Sequence, residues 1–279
     1  MDRSPIVVGC DPSDRSDAAP LWAADEGART GTPVHLVYPF EQFVTDLDGV
    51  GPVVVPEYAS RADAQAYVQA AIAVIGKTHP DVAVSGSVVD GSATDILVDR
   101  SRQASLMVLG GQEGDVGSLL VRSLSVDVAA NAYCSVVLVL GQEPLADAPV
   151  VVALTDSDRD DQALGFGFAQ AAAHSTSIRV VHARKKPLSW RKRRTSEAEE
   201  QVNAEKARLN EAIAAWREKY PQVSTSVDLV MGKRVADLVE ASRPARLLVV
   251  GANTEVGLHE LLQGIQLLRH APSPIAVIR

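Results

Sequence analysis

The chain has 279 residues, of which 46% are hydrophobic and only 4% aromatic, with a formal net charge of -8. Cores of that composition are built from Ala, Val, Leu and Ile, which suits parallel sheets covered by helices, and no apolar run approaches the roughly 18 residues that cross a bilayer. Residues 1–140 carry 8 Lys or Arg against 18 Asp or Glu, and residues 141–279 carry 19 against 17, so neither nucleic acid nor a membrane is an expected partner.

Met1-Asp2-Arg3-Ser4 leads directly into a strand instead of a cleavable apolar segment, and a cytoplasmic location is expected. Short β-branched runs near residues 6–10, 34–38, 82–88, 106–110 and 136–140 predict five strands alternating with four helices. Between the second and third runs, Val68, Ile72 and Ile75 recur at helical spacing and predict one buried stripe. Cys10 and Cys134 fall at strand or strand-entry positions and are expected to be buried thiols without a disulfide or metal.

After a short polar join at residues 141–148, which contains Pro144, the pattern begins again. A shift of 144 lays Pro5-Ile6-Val7-Val8 on Pro149-Val150-Val151-Val152 and Ser13-Asp14-Arg15 on Ser157-Asp158-Arg159. A shift of 141 lays Val68, Ile72 and Ile75 on Leu209, Ile213 and Trp216, Gly91 on Gly232, and residues 106–110 on 247–251. The chain is therefore read as an internal duplication, with domains at 1–142 and 148–279. The expected fold class is α/β: two tandem open parallel five-stranded sheets with helices on both faces, Rossmann-like, with ligands outside the carboxyl ends of the strands. Between Arg184 and Arg194 seven of eleven residues are basic, and Glu197, Glu199 and Glu200 follow. That segment reads either as a solvated loop balanced by its own helix or as a docking surface for an anionic partner.

Further residues carry a resemblance. The first strand runs Val7-Val8-Gly9-Cys10-Asp11-Pro12-Ser13, and the fourth ends Val108-Leu109-Gly110. A loop bearing Gly111, Gly114 and Gly117 follows, then Leu119-Leu120-Val121-Arg122-Ser123-Leu124-Ser125 opens a helix that closes at Asn131-Ala132-Tyr133-Cys134-Ser135-Val136. The second copy supplies Val249-Val250-Gly251 and the ending Arg269-His270-Ala271-Pro272-Ser273-Pro274-Ile275. Over both copies the chain resembles the universal stress protein family. In nucleotide-binding members of that family an Asp after strand one holds the adenosine part, and a loop of the form Gly-x-x-Gly, nine residues, Gly-Ser or Gly-Thr wraps the phosphates. Glycines let backbone N–H groups approach phosphate oxygens, while a hydroxyl and a helix N-terminus add donors.

The resemblance implies a nucleotide site, degenerate in this sequence, in the first copy at Asp11, Gly110, Gly114, Ser123 and Ser125, with ATP as its ligand if the site still functions. The loop from Gly110 to the Leu119-Leu120 pair is one residue shorter than the family pattern, and Arg122 replaces the glycine expected before Ser123. The Arg122 guanidinium either pairs with a phosphate or fills the pocket. Asp11 has a second reading as a capping carboxylate for the first helix. The second copy has Thr155 in place of Asp11, and neither Gly264-Ile265 nor Leu261-Leu262 restores the Gly-Ser pair, so no nucleotide is expected there.

No His-Ile-Gly-His or Ser-Gly-Gly-x-Asp-Ser motif occurs, and His35, His79, His174, His182, His259 and His270 lie at no metal spacing. The expectation is a non-enzymatic sensor or adaptor with no catalytic or metal-binding residues. It would act with a protein partner whose identity the sequence does not give, and as an internal pseudo-dimer or a homodimer. The alternatives are an ATP-binding switch through the first copy and a weak ATP hydrolase.

Overall fold

A computed structural model of the chain describes residues 4–10, 18–41, 44–47, 51–54, 60–111, 124–125, 127–140, 147–154, 157–184, 196–231, 245–251 and 273–279. The chain divides into two compact units, Met1–Val139 and Leu140–Arg279. In the first, β1 (Ile6–Gly9), α1 (Ala18–Thr30) and β2 (Val34–Phe40) are followed by β3 (Val44–Leu47), β4 (Gly51–Val54) and α2 (Arg61–Thr78). After them come β5 (Val84–Asp90), α3 (Ala93–Ser101), β6 (Leu106–Gly111) and β7 (Val136–Leu140).

The strands of this unit lie in the order β5-β2-β1-β6-β7, and β1 pairs in parallel with β2 and β6, as β2 does with β5. Helices must carry the chain back between parallel strands, and their apolar sides cover the sheet. Val34, Leu36, Val8, Val108 and Val136 are wholly buried. On one face α1 turns Ala19, Ala23 and Ala24 inward, and α2 turns Val68 and Ile75; the missing side chain of Gly86 leaves room for the Val68 branch. On the other face Leu97 of α3 lies against Gly9.

Local signals set the ends of α2. Asp63 N–H donates to Ser60 Oγ at 3.3 Å while Ser60 N–H donates to Asp63 Oδ2 at 2.8 Å, a closed capping box. Those bonds to Ser60, the hydroxyl's first and the backbone's second, hold the Asp63 carboxyl below its usual range. At the other end Val82 N–H donates to His79 O at 3.1 Å. Val82 is thereby spent on a bend, and Ala83 contributes only its carbonyl, which accepts from Val34 N–H at 2.9 Å, so the third strand of the duplication starts at Val84, two positions later than the sequence predicts. The antiparallel β3–β4 pair, Val44 opposite Val54, was not anticipated.

The second unit contains β8 (Val150–Leu154), α4 (Asp160–Ala173), β9 (Ile178–Arg184), α5 (Ser196–Ala212) and α6 (Ala214–Lys219). It continues with β10 (Thr225–Met231), β11 (Leu247–Gly251) and β12 (Ile275–Ile278). Its order, β10-β9-β8-β11-β12, reproduces that of the first unit, with parallel registers throughout. Leu209 and Ile213 of the predicted stripe are buried. The third member, Trp216, stacks at 6.3 Å on Phe168 and 6.4 Å on Tyr220, and its indole N–H donates to Asp161 at 2.9 Å. Among the described residues no helix is long and apolar enough to cross a membrane.

Candidate functional site

In an open parallel sheet the crevice forms where the strand order reverses, because the two connections leave in opposite directions. In the first unit that point lies between the carboxyl ends of β1 and β6, at Cys10 and Gly110. Cys10 N–H donates to Val37 O at 2.8 Å, which carries the β1–β2 pairing one residue past the strand. The buried Cys10 Sγ turns back toward Val8 O. The floor is tightly packed: a Cβ on Gly9 would stand 2.7 Å from Leu109 Cδ2 and 3.2 Å from Leu97 Cδ1.

Of the predicted site residues, the structure brings together Gly110 and Ser125. Gly110, at the end of β6, is half-buried. Ser125 is buried and its hydroxyl donates to Gly110 O at 3.4 Å, so residues 124–125, which are helical, sit within one hydrogen bond of the strand end. Asp11, Gly114, Arg122 and Ser123 lie outside the described residues, as do Thr155, residues 261–265 of the second copy and residues 185–194 of the basic segment.

The equivalent point of the second unit is packed differently. A Cβ on Gly251 would stand 2.9 Å from both the carbonyl carbon and the carbonyl oxygen of Arg159, so the backbone that opens α4 presses on the end of β11. That turn is fixed by its own bonds. Arg159 N–H donates to Ser157 Oγ at 3.1 Å, Asp160 N–H to Ser157 O at 3.1 Å, and Ser157 N–H to Asp160 Oδ2 at 3.2 Å. A helix N-terminus attracts anions through unsatisfied N–H groups. Here Ser157 already accepts from two N–H groups at this end, those of Arg159 and Asp160, and Asp160 and Asp161 both occupy the first turn. Two negative charges in the first turn disfavour an anion at this helix start. The close approach of Arg159 to Gly251 was not read from the sequence, although Ser157-x-x-Asp160 is a visible capping pattern.

Residues 3–139 and 148–279 each match the Universal stress protein family. The chain belongs to the universal stress protein family. Among its relatives, a universal stress protein of Mycolicibacterium smegmatis is 28% identical over 295 residues, covering 98% of this chain and 96% of that one. A universal stress protein of Mycobacterium tuberculosis strain H37Rv is 26% identical over 275 residues, covering 93% and 90%. The crystal structure of a universal stress protein from Archaeoglobus fulgidus DSM 4304 superposes with a TM-score of 0.68 at 13% identity, covering 100% of this chain and 97% of that chain. That likeness establishes a shared fold. As a tandem universal stress protein, the chain has two switch points in one polypeptide, and they differ in packing and charge.

Proposed function

We propose that this universal stress protein is a sensor or adaptor that takes an adenine nucleotide, ATP in the first instance, in its first unit only. The observation that carries the reading is the contrast between the two switch points. In the first unit the chain departs at Gly110 and returns at Ser125 within 3.4 Å, so the glycine-bearing segment between them starts and ends at the mouth of the crevice. In the second the backbone of Arg159 lies against Gly251 and carboxylates line the turn. Asp11 would hold the adenosine part, and Gly114 and Ser123 would offer donors to phosphate. Arg122 acts either as a phosphate ligand or as a plug. The protein works without catalysis in this reading, with a protein partner receiving the signal.

Denaturing freshly purified protein and identifying released nucleotide by mass spectrometry tests the reading, together with calorimetry of ATP on the full chain. Binding that vanishes in Asp11→Asn supports it; ATP binding unaffected by Asp11→Asn would move the site elsewhere. Arg122→Gly should raise affinity if the guanidinium fills the pocket and lower it if the guanidinium holds phosphate. Release of ADP on prolonged incubation would favour the hydrolase alternative.

A further inference from the structure

The duplication places a histidine in one copy where the other has an arginine. Under the shift of 144, His35 of β2 corresponds to Arg179 of β9, and under the shift of 141, Ser85 and Ser87 of β5 correspond to Ser226 and Asp228 of β10. The strand registers are the same, His35 opposite Ser85 and Arg179 opposite Ser226. In the second unit the cation faces a carboxylate, with Arg179 Nε 3.9 Å from Asp228 Oδ2. In the first unit His35 Nδ1 lies 2.8 Å from Ser85 Oγ and Nε2 lies 3.0 Å from Ser87 Oγ. Both hydroxyls serve a neutral ring or a protonated one, because each can donate or accept. What they cannot do is balance a charge.

Among the described residues His35 makes no ion pair. From α3 comes the Arg100 guanidinium, which together with the larger effect of burial lowers the imidazole below its ordinary value of 6.5. The register partner on β1 is Val7. On α3 the neighbouring carboxylate, Asp99, is paired with Arg102 at 3.7 Å.

We propose that His35 is an acid-responsive point of the first unit: on protonation it sets a second cation beside Arg100 where Ser87 supplies no carboxylate, and α3 and β5 loosen against β2. The helix concerned is the one whose Leu97 seals Gly9 at the crevice end of β1. The inference stands whether or not a nucleotide binds there. With the native value lowered, the unfolded chain takes the proton first. The contribution of His35 is therefore complete above its ordinary value of 6.5 and is lost as pH falls below it.

The test uses the full chain between about pH 7.5 and 5, the range in which histidine titrates. Proton NMR of the His35 ring, assigned by its disappearance in His35→Gln, should give a midpoint below the ordinary histidine value. The urea midpoint and the hydrogen-exchange protection of α3 amides should fall with acid more steeply in the wild type than in His35→Gln. Ser87→Asp, which installs the second copy's carboxylate, should raise the His35 midpoint and flatten the loss. A His35 midpoint at or above the ordinary value, or equal slopes for wild type and His35→Gln, would overturn the proposal. If His35→Gln does not fold, the ring titration of wild type against Ser87→Asp still decides, since an unmoved midpoint refutes it.

Discussion

One methyl group, added at two glycines, should change stability in opposite directions. At Gly251 the new Cβ meets the Arg159 carbonyl carbon and oxygen at 2.9 Å and its Cβ at 3.1 Å. Backbone atoms cannot rotate away, and this backbone is held by the Ser157–Asp160 turn and by Ala163 N–H, which donates to Arg159 O at 2.9 Å. Burial of a methyl contributes about 0.8 kcal/mol, whereas overpacking costs about 1–3 kcal/mol, so Gly251→Ala should destabilise by about 1–2 kcal/mol. At Gly76, exposed within α2, nothing lies within 4 Å of the added Cβ. There the lost chain entropy of glycine dominates, and Gly76→Ala should stabilise by about 0.5–1 kcal/mol. Urea unfolding of the full chain, followed by circular dichroism, reads both signs. Wild-type or greater stability for Gly251→Ala would show that α4 does not press on β11 and would remove the packing contrast between the two switch points.

The aromatic stack of the second unit gives a larger effect: Phe168, fully buried and 5.9 Å from Tyr220, should cost about 3–5 kcal/mol on truncation to Ala. A thermal melt checks it, and a loss below about 1 kcal/mol would deny the stack a structural role. Asp63, whose carboxyl is held low by Ser60, contributes stability above its ordinary value of 3.8 that is lost as pH falls below it; melts at acid pH should show a shallower loss in Ser60→Ala than in wild type. In β9 and α5, His182 and Glu205 are buried 3.3 Å apart, with Arg208 donating to Glu205 at 2.8 Å. Glu205→Ala should destabilise by about 1–3 kcal/mol, whereas the combined His182→Tyr, Glu205→Ala and Arg208→Tyr, which copies the first unit, should be neutral or stabilising; equal losses for both would refute this.

The duplicated fold was legible because hydrophobic runs of period two and stripes of helical spacing survive in both copies, and parallel crossovers leave few topologies. The early start assigned to the third strand came from Val82, a β-branched residue that a turn after α2 consumes through His79 O. The β3–β4 hairpin escaped because its strands are four residues each, too short for alternation to register. At the site, Gly110 was legible as a strand-end glycine. The partner that Ser125 chose was not, because a hydroxyl beside a glycine-rich loop reads equally as a phosphate donor or as a brace. The closeness of Arg159 to Gly251 depends on how a helix seats on a strand, a tertiary relation that neither segment carries alone.

The two copies also separate changes that are matched from changes that are not. Tyr38 stacks edge-on with Tyr67 at 5.9 Å, and the corresponding positions, His182 and Arg208, come with Glu205 in place of Ala64. An aromatic pair has been exchanged for a polar group of three, in which Glu205 lies between His182 and Arg208. Arg179 likewise comes with Asp228, where His35 comes with Ser87. Paired exchanges of this kind preserve packing and balance charge, so they describe two solutions to one folding problem. The exchange of Asp11 for Thr155 is of another kind: the second copy also lacks the Gly-Ser pair, and the helix whose start abuts the end of β11 opens with two carboxylates. Nothing among these changes restores an anion site or replaces the lost carboxylate with another adenosine-holding group. Loss without compensation is what relaxed demand on a binding site produces, and it supports the proposal that any nucleotide is taken by the first unit.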